Sequence, residues 1–178
     1  MSFATNYDKK HSLRFQKTLH FLKKHVAPKS SILDLGVKNP FSEIMRAEGF
    51  EVINTSDEDL DMDLSGVKNA NVDVLTAFEI FEHLVSPFNV LKVAKARKLL
   101  ATVPLRLWFS TAYQSKTDPR DKHFHEFEDW QFDWLLEKAG WEIKDREKWI
   151  SPTTINGIRP LLRNFTPRHY AVYAERKI

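Results

Sequence analysis

The sequence predicts a single α/β domain with a mostly parallel central sheet, an antiparallel hairpin at one edge and helices on both faces. Two observations carry this. Short apolar runs alternate with amphipathic stretches through the first two thirds of the chain, the pattern of strand–helix–strand units with right-handed crossovers. Helix punctuation then recurs between those runs, with cap-then-proline starts at Asn39-Pro40 and Ser86-Pro87 and glycine stops at Gly49 and Gly140. A hydrophobic fraction of 42% in 178 residues suits one domain with a real core.

The elements follow in order. Ser12 to Val26 places Phe15, Leu19, Leu22 and Val26 at helical spacing, and Pro28 closes that helix. Ser31 to Gly36 reads as a short buried strand. A helix runs from Pro40 to Glu48, and Phe50 to Thr55 forms a second strand. An acidic stretch without helical pattern follows, from Asp57 to Asp63. Val72 to Phe78 is the next strand, Pro87 to Lys98 a helix, and Leu99 to Val103 a strand closed by Pro104. Leu105 to Phe124 is a long connection carrying Trp108, Phe109 and Tyr113. Glu128 to Ala139 is helical and dense in apolar residues, with Trp130, Phe132, Trp134, Leu135 and Leu136 assigned mostly to core packing. Trp141 to Trp149 and His169 to Glu175 are late strands joined by a loop without a clear helix, which suits an antiparallel pair. The domain spans 1–178, with a helical N-terminal extension (1–29), a core (30–150) and a C-terminal loop and edge strand (151–178).

Composition narrows the chemistry. The chain has no cysteine, which excludes disulfides, zinc–thiolate sites and thiol nucleophiles. It has no apolar run long enough for a membrane span. Met1 to Lys10 lacks the apolar core of a signal peptide, so a cytoplasmic setting is expected. The net charge of +3 favours anionic partners only weakly.

In open α/β sheets, ligands sit beyond the carboxyl ends of the strands. The Gly36 to Pro40 turn is the first such place, because a glycine lets backbone approach a ligand and the next helix offers free N–H groups. Asp57, near the end of the second strand, is suited to accept hydrogen bonds from a ribose.

Ile32-Leu33-Asp34-Leu35-Gly36 resembles motif I of the class I S-adenosylmethionine-dependent methyltransferases. Phe78-Glu79-Ile80-Phe81-Glu82-His83-Leu84 resembles the Glu-x-x-Glu-His segment of the branch that includes ubiquinone-biosynthesis O-methyltransferases. Val72-Asp73-Val74 and the block from His125 to Trp141 are similar to further family segments, so the resemblance covers roughly residues 30 to 150. It implies a Rossmann-like fold and S-adenosylmethionine as cofactor. Asp34 and Gly36 would then support the methionine end, Asp57 the ribose, and Asp61 or Asp63 the adenine, with Ala77, Phe78 and Glu79 lining the exit of the fourth family strand. The chain departs from motif I after Gly36, where Lys38 and Pro40 replace glycines. Lys38 either crowds the sulfonium or pairs with the cofactor carboxylate.

Methyl transfer needs an aligned nucleophile and a base for its proton. His83 is the first candidate base and His125 the second, with His123 beside it; in an extended segment His123 and His125 share one face. Glu82, Trp108, Tyr113 and His123 are candidate substrate contacts. Two histidines without a third ligand specify a metal only weakly, so none is expected. The run Lys92, Lys95, Arg97 and Lys98 reads as a solvated helix face. Arg159, Arg163, Arg168 and His169, interleaved with Leu161, Leu162, Phe165 and Tyr170, read as a packed edge segment, with RNA or a phosphorylated substrate as the other reading. The expected activity is methyl transfer to an oxygen or nitrogen of a small molecule. A non-catalytic binding or regulatory domain and an RNA methyltransferase are the alternatives, and a membrane partner is not expected.

Overall fold

In the computed structural model, which describes residues 6–118, 121–154 and 156–177, six strands form one sheet in the order β2-β1-β3-β4-β6-β5. The strands are β1 (Ser31–Asp34), β2 (Glu51–Asn54), β3 (Val74–Phe78), β4 (Lys98–Pro104), β5 (Trp141–Trp149) and β6 (His169–Arg176). The helices are α1 (Asn6–His25), α2 (Pro40–Ala47), α3 (Ser65–Asn69), α4 (Pro87–Val93), α5 (Asp129–Lys138) and α6 (Ile158–Arg163). A single 3₁₀ turn, Phe81–His83, follows β3. The first four strands in the order run parallel, and β6 alone is antiparallel to its neighbours.

Period-two alternation sorts the apolar side chains into two layers. Ile32, Val52, Val74, Leu100 and Ala171 meet Phe15, Leu22, Phe41 and Met45 from α1 and α2. Leu33, Leu75, Leu99, Ala101 and Val172 face Val67, Val90, Leu91, Phe132 and Leu136 from α3, α4 and α5. Strands covered on both faces read as near-continuous apolar runs, which is why β3 and β4 were legible.

Several expectations change in the structure. The last strand is not the edge: β6 pairs with β4 on one side and β5 on the other, so β5 closes the sheet. Its backbone needed two partners because the segment from Tyr170 to Ala174 is buried on both faces. The N-terminal helix is part of the core rather than an appendage, since Phe21 and Leu22 are fully covered. The acidic stretch is followed by α3, and the loop before β6 contains α6, both too short to show a periodic stripe. The helix after Ser86 ends at Val93, because Ala94 turns extended and Ala94 and Ala96 tuck into the core. On α5 only Phe132 and Leu136 are buried; Trp130 and Trp134, four apart on the other face, are 48% and 64% exposed and pack edge-on to each other. Lys92, Lys95 and Arg97 are exposed, but they do not form one helix face with Lys98: only Lys92 lies on α4, and Lys98 starts β4 half-buried, its Nζ donating to the His25 carbonyl at 3.3 Å.

The free edge at β2 is blunted by its own helix. Arg46 Nε and Nη2 donate to the Val52 carbonyl at 3.1 and 3.0 Å, and Nη2 donates to Asn54 Oδ1 at 2.7 Å. A guanidinium on an edge carbonyl discourages pairing with another strand.

Candidate functional site

The carboxyl ends of β1, β2, β3 and β4, with the start of β6, bring most of the candidate residues to one edge of the sheet. At β1, Asp34 is buried and does not reach outward. Its Oδ1 accepts from Thr76 Oγ1 at 2.7 Å and its Oδ2 from Asn54 Nδ2 at 3.0 Å. Burial pushes its carboxyl up to about 6 in spite of these bonds. Asp34 therefore ties three strands together and fixes the turn that follows. Gly36 has a φ of +96°, a conformation that favours glycine, and a Cβ there would lie 3.2 Å from the Ile80 side chain. Its N–H donates to Thr55 Oγ1 at 2.7 Å.

Beyond Gly36 the altered turn forms a regular helix start. Asn39 Oδ1 accepts from the N–H groups of Phe41 and Ser42, and Ser42 Oγ accepts in return from the Asn39 N–H. Lys38 pairs with Glu43 at 3.1 Å on the surface. At the end of β2, Asp57 is exposed and forms no hydrogen bond or ion pair among the described residues. Asp61 and Asp63, the two candidates for adenine, are both used by the backbone. Asp61 accepts from Val85 and Ser86 N–H groups at 2.8 Å each, holding the entry to α4. Asp63 accepts from Ser65 N–H at 2.8 Å and starts α3, a bond that lowers its pKa.

At the end of β3, Phe78 packs edge-on against Phe41 at 5.2 Å. Glu79 follows with a φ of +58°, a strained conformation for a residue with a side chain. Burial would raise its carboxyl, but His169 at 3.4 Å and Arg14 at 3.5 Å hold it down at about 2. Glu82, in the 3₁₀ turn, is 1% exposed, and its Oε2 is buried without a partner. Burial, and then the Glu79 charge, push its carboxyl well above the usual range. Two neighbouring carboxyls are thus shifted in opposite directions.

Around Glu82 the loop of Asp121 to Glu126 folds back. The N–H groups of Phe124 and His125 both donate to the Glu82 carbonyl, at 2.8 and 3.2 Å. This brings His123 edge-on to His83, with ring centres 4.7 Å apart, and Tyr113 to 4.5 Å from His123. Tyr113 donates through its hydroxyl to Asp121 and through its N–H to Glu126. The His83 Nδ1 lies 3.0 Å from the Lys122 carbonyl. A carbonyl only accepts, so Nδ1 carries the hydrogen and Nε2 keeps its lone pair, 3.8 Å from Glu82 Oε1. Burial, then the nearby His83, lowers the His123 pKa, so this ring is neutral at pH 7.

Glu82, His83 and His123 have ligand atoms within 4.8 Å of one another, an arrangement able to hold a divalent cation. The expectation of no metal rested on His123 and His125 lacking a third ligand; the fold instead joins His123 to Glu82 and His83, which lie far away in sequence. His125 does not join the trio. The chain bends at Phe124 instead of extending, so His125 turns the other way, with Nε2 3.2 Å from the Val85 carbonyl and its ring stacked on Phe127. It lines a separate groove of about 440 Å³ with Phe88, Phe124 and Leu135. Trp108 is 71% exposed and packs edge-on to Phe109, away from His123. Arg14, Asp121 and His169 were missed as site residues. Arg14 is one polar residue on a long amphipathic helix, which carries no local signal.

No protein-family profile and no curated protein sequence matches the chain. Solved structures do. A methyltransferase dependent on S-adenosylmethionine from Archaeoglobus fulgidus is 15% identical, covers 98% of this chain and 100% of its own, and superposes with a TM-score of 0.63. A Listeria monocytogenes protein described as a methyltransferase with the same cofactor is 12% identical, with 94% and 100% coverage and a TM-score of 0.61. A Haloferax volcanii protein described as a methyltransferase, solved with the Trm112 methyltransferase activator, is 12% identical, with 97% and 93% coverage and a TM-score of 0.60. The chain has the class I S-adenosylmethionine-dependent methyltransferase fold. Among the described residues, no helix is long and apolar enough to cross a membrane.

Proposed function

We propose that the chain is a methyltransferase that uses S-adenosylmethionine and delivers the methyl group to an oxygen or nitrogen of a small molecule. The observation that carries this reading is the buried Glu82, whose Oε2 has no hydrogen-bond partner among the described residues, beside His83 and His123 on the same sheet edge as the Gly36 turn. Buried ionisable groups without a structural partner cost stability and are concentrated at working sites.

The residues fit the cofactor. The open carboxylate of Asp57 suits a ribose, and the Gly36 backbone allows close approach. Lys38 would take the cofactor carboxylate, since its exposed pair with Glu43 is worth little and exchanges readily. When bound, S-adenosylmethionine supplies an electrophilic methyl on a sulfonium. The chain's part is to orient the acceptor and remove its proton. His83 Nε2 is the proton acceptor, because its tautomer is fixed by the Lys122 carbonyl and the ring is partly exposed. His123, neutral and perpendicular to His83, positions the acceptor with Tyr113.

A non-catalytic binding domain is the second reading. It is favoured by the Asn39 cap, which already satisfies the N–H groups of Phe41 and Ser42 that would otherwise face a ligand. Calorimetric titration with S-adenosylhomocysteine separates the two. Saturable binding by the native chain, weakened at least tenfold in Asp57→Ala, is expected. Among the described residues Asp57 has no partner, so the variant stays folded. No heat at millimolar ligand would overturn the cofactor assignment and leave the binding-domain reading.

A further inference from the structure

The C-terminal segment holds a second group of unpaired charges that methyl transfer as described does not use. A small cavity of about 190 Å³ lies between the connection after β4 and helix α6, lined by Phe109, Ser110, Thr153, Arg159 and Arg163 among others. Arg159 Nη2 donates to Ser110 Oγ at 2.8 Å, the only bond of its guanidinium among the described residues. Arg163 Nε is buried and has no hydrogen-bond partner. Arg168 is close enough that its charge, after burial, depresses the pKa of Arg163. None of the three arginines forms an ion pair with a carboxylate among the described residues, although acidic residues make up a large share of the chain.

Two guanidiniums that line one small cavity repel one another, and a buried N–H without an acceptor costs free energy. A surface that only packed against solvent would let these side chains spread or pair. Here they are held instead. Asn164 clamps the loop to α6 by accepting from the Thr153 N–H at 2.7 Å and donating to the Thr153 carbonyl at 2.9 Å. Arg168 is anchored at the start of β6, where its Nη1 donates to the Leu105 carbonyl at 3.2 Å. Planar guanidiniums match the oxygens of phosphate in pairs, and hydroxyls such as those of Ser110 and Thr153 complete such sites.

We propose that Arg159 and Arg163, with Ser110 and Thr153, form a binding site for the phosphate monoester of a small phosphorylated methyl acceptor. The cavity is the size of one such group rather than of a nucleic-acid strand. Its position supports the link to the acceptor. Phe109 and Ser110, which line it, stand on the same connection as Tyr113, whose ring meets His123. The anion would thus anchor one end of a molecule whose nucleophilic atom lies at His83. The assignment to the acceptor rests on the methyltransferase reading, while the anion site itself does not.

The test is titration with inorganic phosphate and with phenyl phosphate, by calorimetry, on the native chain without cofactor. Saturable binding by both is expected, weakening as chloride is raised. Arg159→Ala, an exposed substitution that leaves the core intact, and Arg163→Lys, which keeps a charge but loses the fork, should each weaken it at least tenfold. Arg97→Ala, at a distant exposed position, should leave it unchanged. Equal binding by the native chain and both site variants would overturn the site. So would absence of saturation by either phosphate, and so would retention of single-stranded RNA that free phosphate fails to displace. Asp57→Ala, which tests the cofactor, must leave phosphate binding intact, so failure of one assignment is distinguishable from failure of the other.

Discussion

Replacing Asp34 by Asn should make the protein's stability less sensitive to pH in a defined window. Asp34 is 3% exposed, and its burial raises the carboxyl from 3.8 to about 6. A carboxyl raised on folding stabilises the fold fully below its unfolded value, and that contribution is lost as pH rises through the folded value. The whole loss is about 3 kcal/mol, the free energy that separates those two pKa values. Integrated over the accessible range, about 2 kcal/mol of it falls between pH 4.5 and 7.5. Asparagine removes the charge and keeps both bonds. The Thr76 hydroxyl can turn to accept from the new amide, whose oxygen then accepts from Asn54. Glu79 does not interfere, since its carboxyl is held at about 2 and its stabilisation is lost only as pH falls below 4.5 toward that value. Glu82 is common to both proteins and cancels. Urea unfolding followed by tryptophan fluorescence at several pH values is the assay. The gap between variant and native chain should shift in the variant's favour by about 2 kcal/mol across the window. A gap that stays flat, or moves the other way, would refute the assignment of a strained buried charge to Asp34.

Two more outcomes follow from the geometry. By NMR titration of the imidazole carbons, His123 should titrate below the usual histidine range, and His83→Ala should move it upward, because the His83 charge is one cause of the depression; an unmoved His123 would mean the two rings are not neighbours in solution. Trp141→Ala should cost about 3–5 kcal/mol in urea unfolding, the range for deleting a large buried aromatic. That side chain is fully buried, donates to the Leu91 carbonyl at 3.2 Å and lies 4.1 Å from the Arg176 guanidinium. A loss below about 1 kcal/mol would show that α4 and β5 are not held together there.

The strand–helix alternation was legible because β1, β3 and β4 are short apolar runs with strong turn signals on either side. Asn39-Pro40 was legible for the same reason, and its cap is present in full. What was hidden depends on distance in sequence. Nothing near Glu82 announces that His123 folds back onto it, since that approach is made by two backbone N–H groups reaching one carbonyl. The family resemblance implied that Asp61 or Asp63 sits near the adenine. Their bonds to the backbone of Ser65, Val85 and Ser86 only become visible once α3 and α4 are in place. The two exposed tryptophans of α5 show the limit of composition: density of apolar residues suggested a core, while their spacing, four apart, set them on a face of their own.

The arrangement at the end of β3 is difficult to explain as packing. A fold seeking stability alone would place an apolar residue at 82, where the side chain is covered and Oε2 finds no partner. It would also relax Glu79, whose φ of +58° is costly for a residue with a side chain. The two costs are linked. The turn at Glu79 points its carboxylate to Arg14 and His169, which stabilise it ionised. Burial, together with that fixed negative charge, raises the pKa of the neighbouring Glu82. Removing the fixed charge tests this coupling: Glu79→Gln should lower the pKa of Glu82, followed by carbon NMR of its carboxyl. A Glu82 that titrates unchanged in that variant would mean that burial alone sets its protonation, and the strained turn at Glu79 would then have no part in the chemistry.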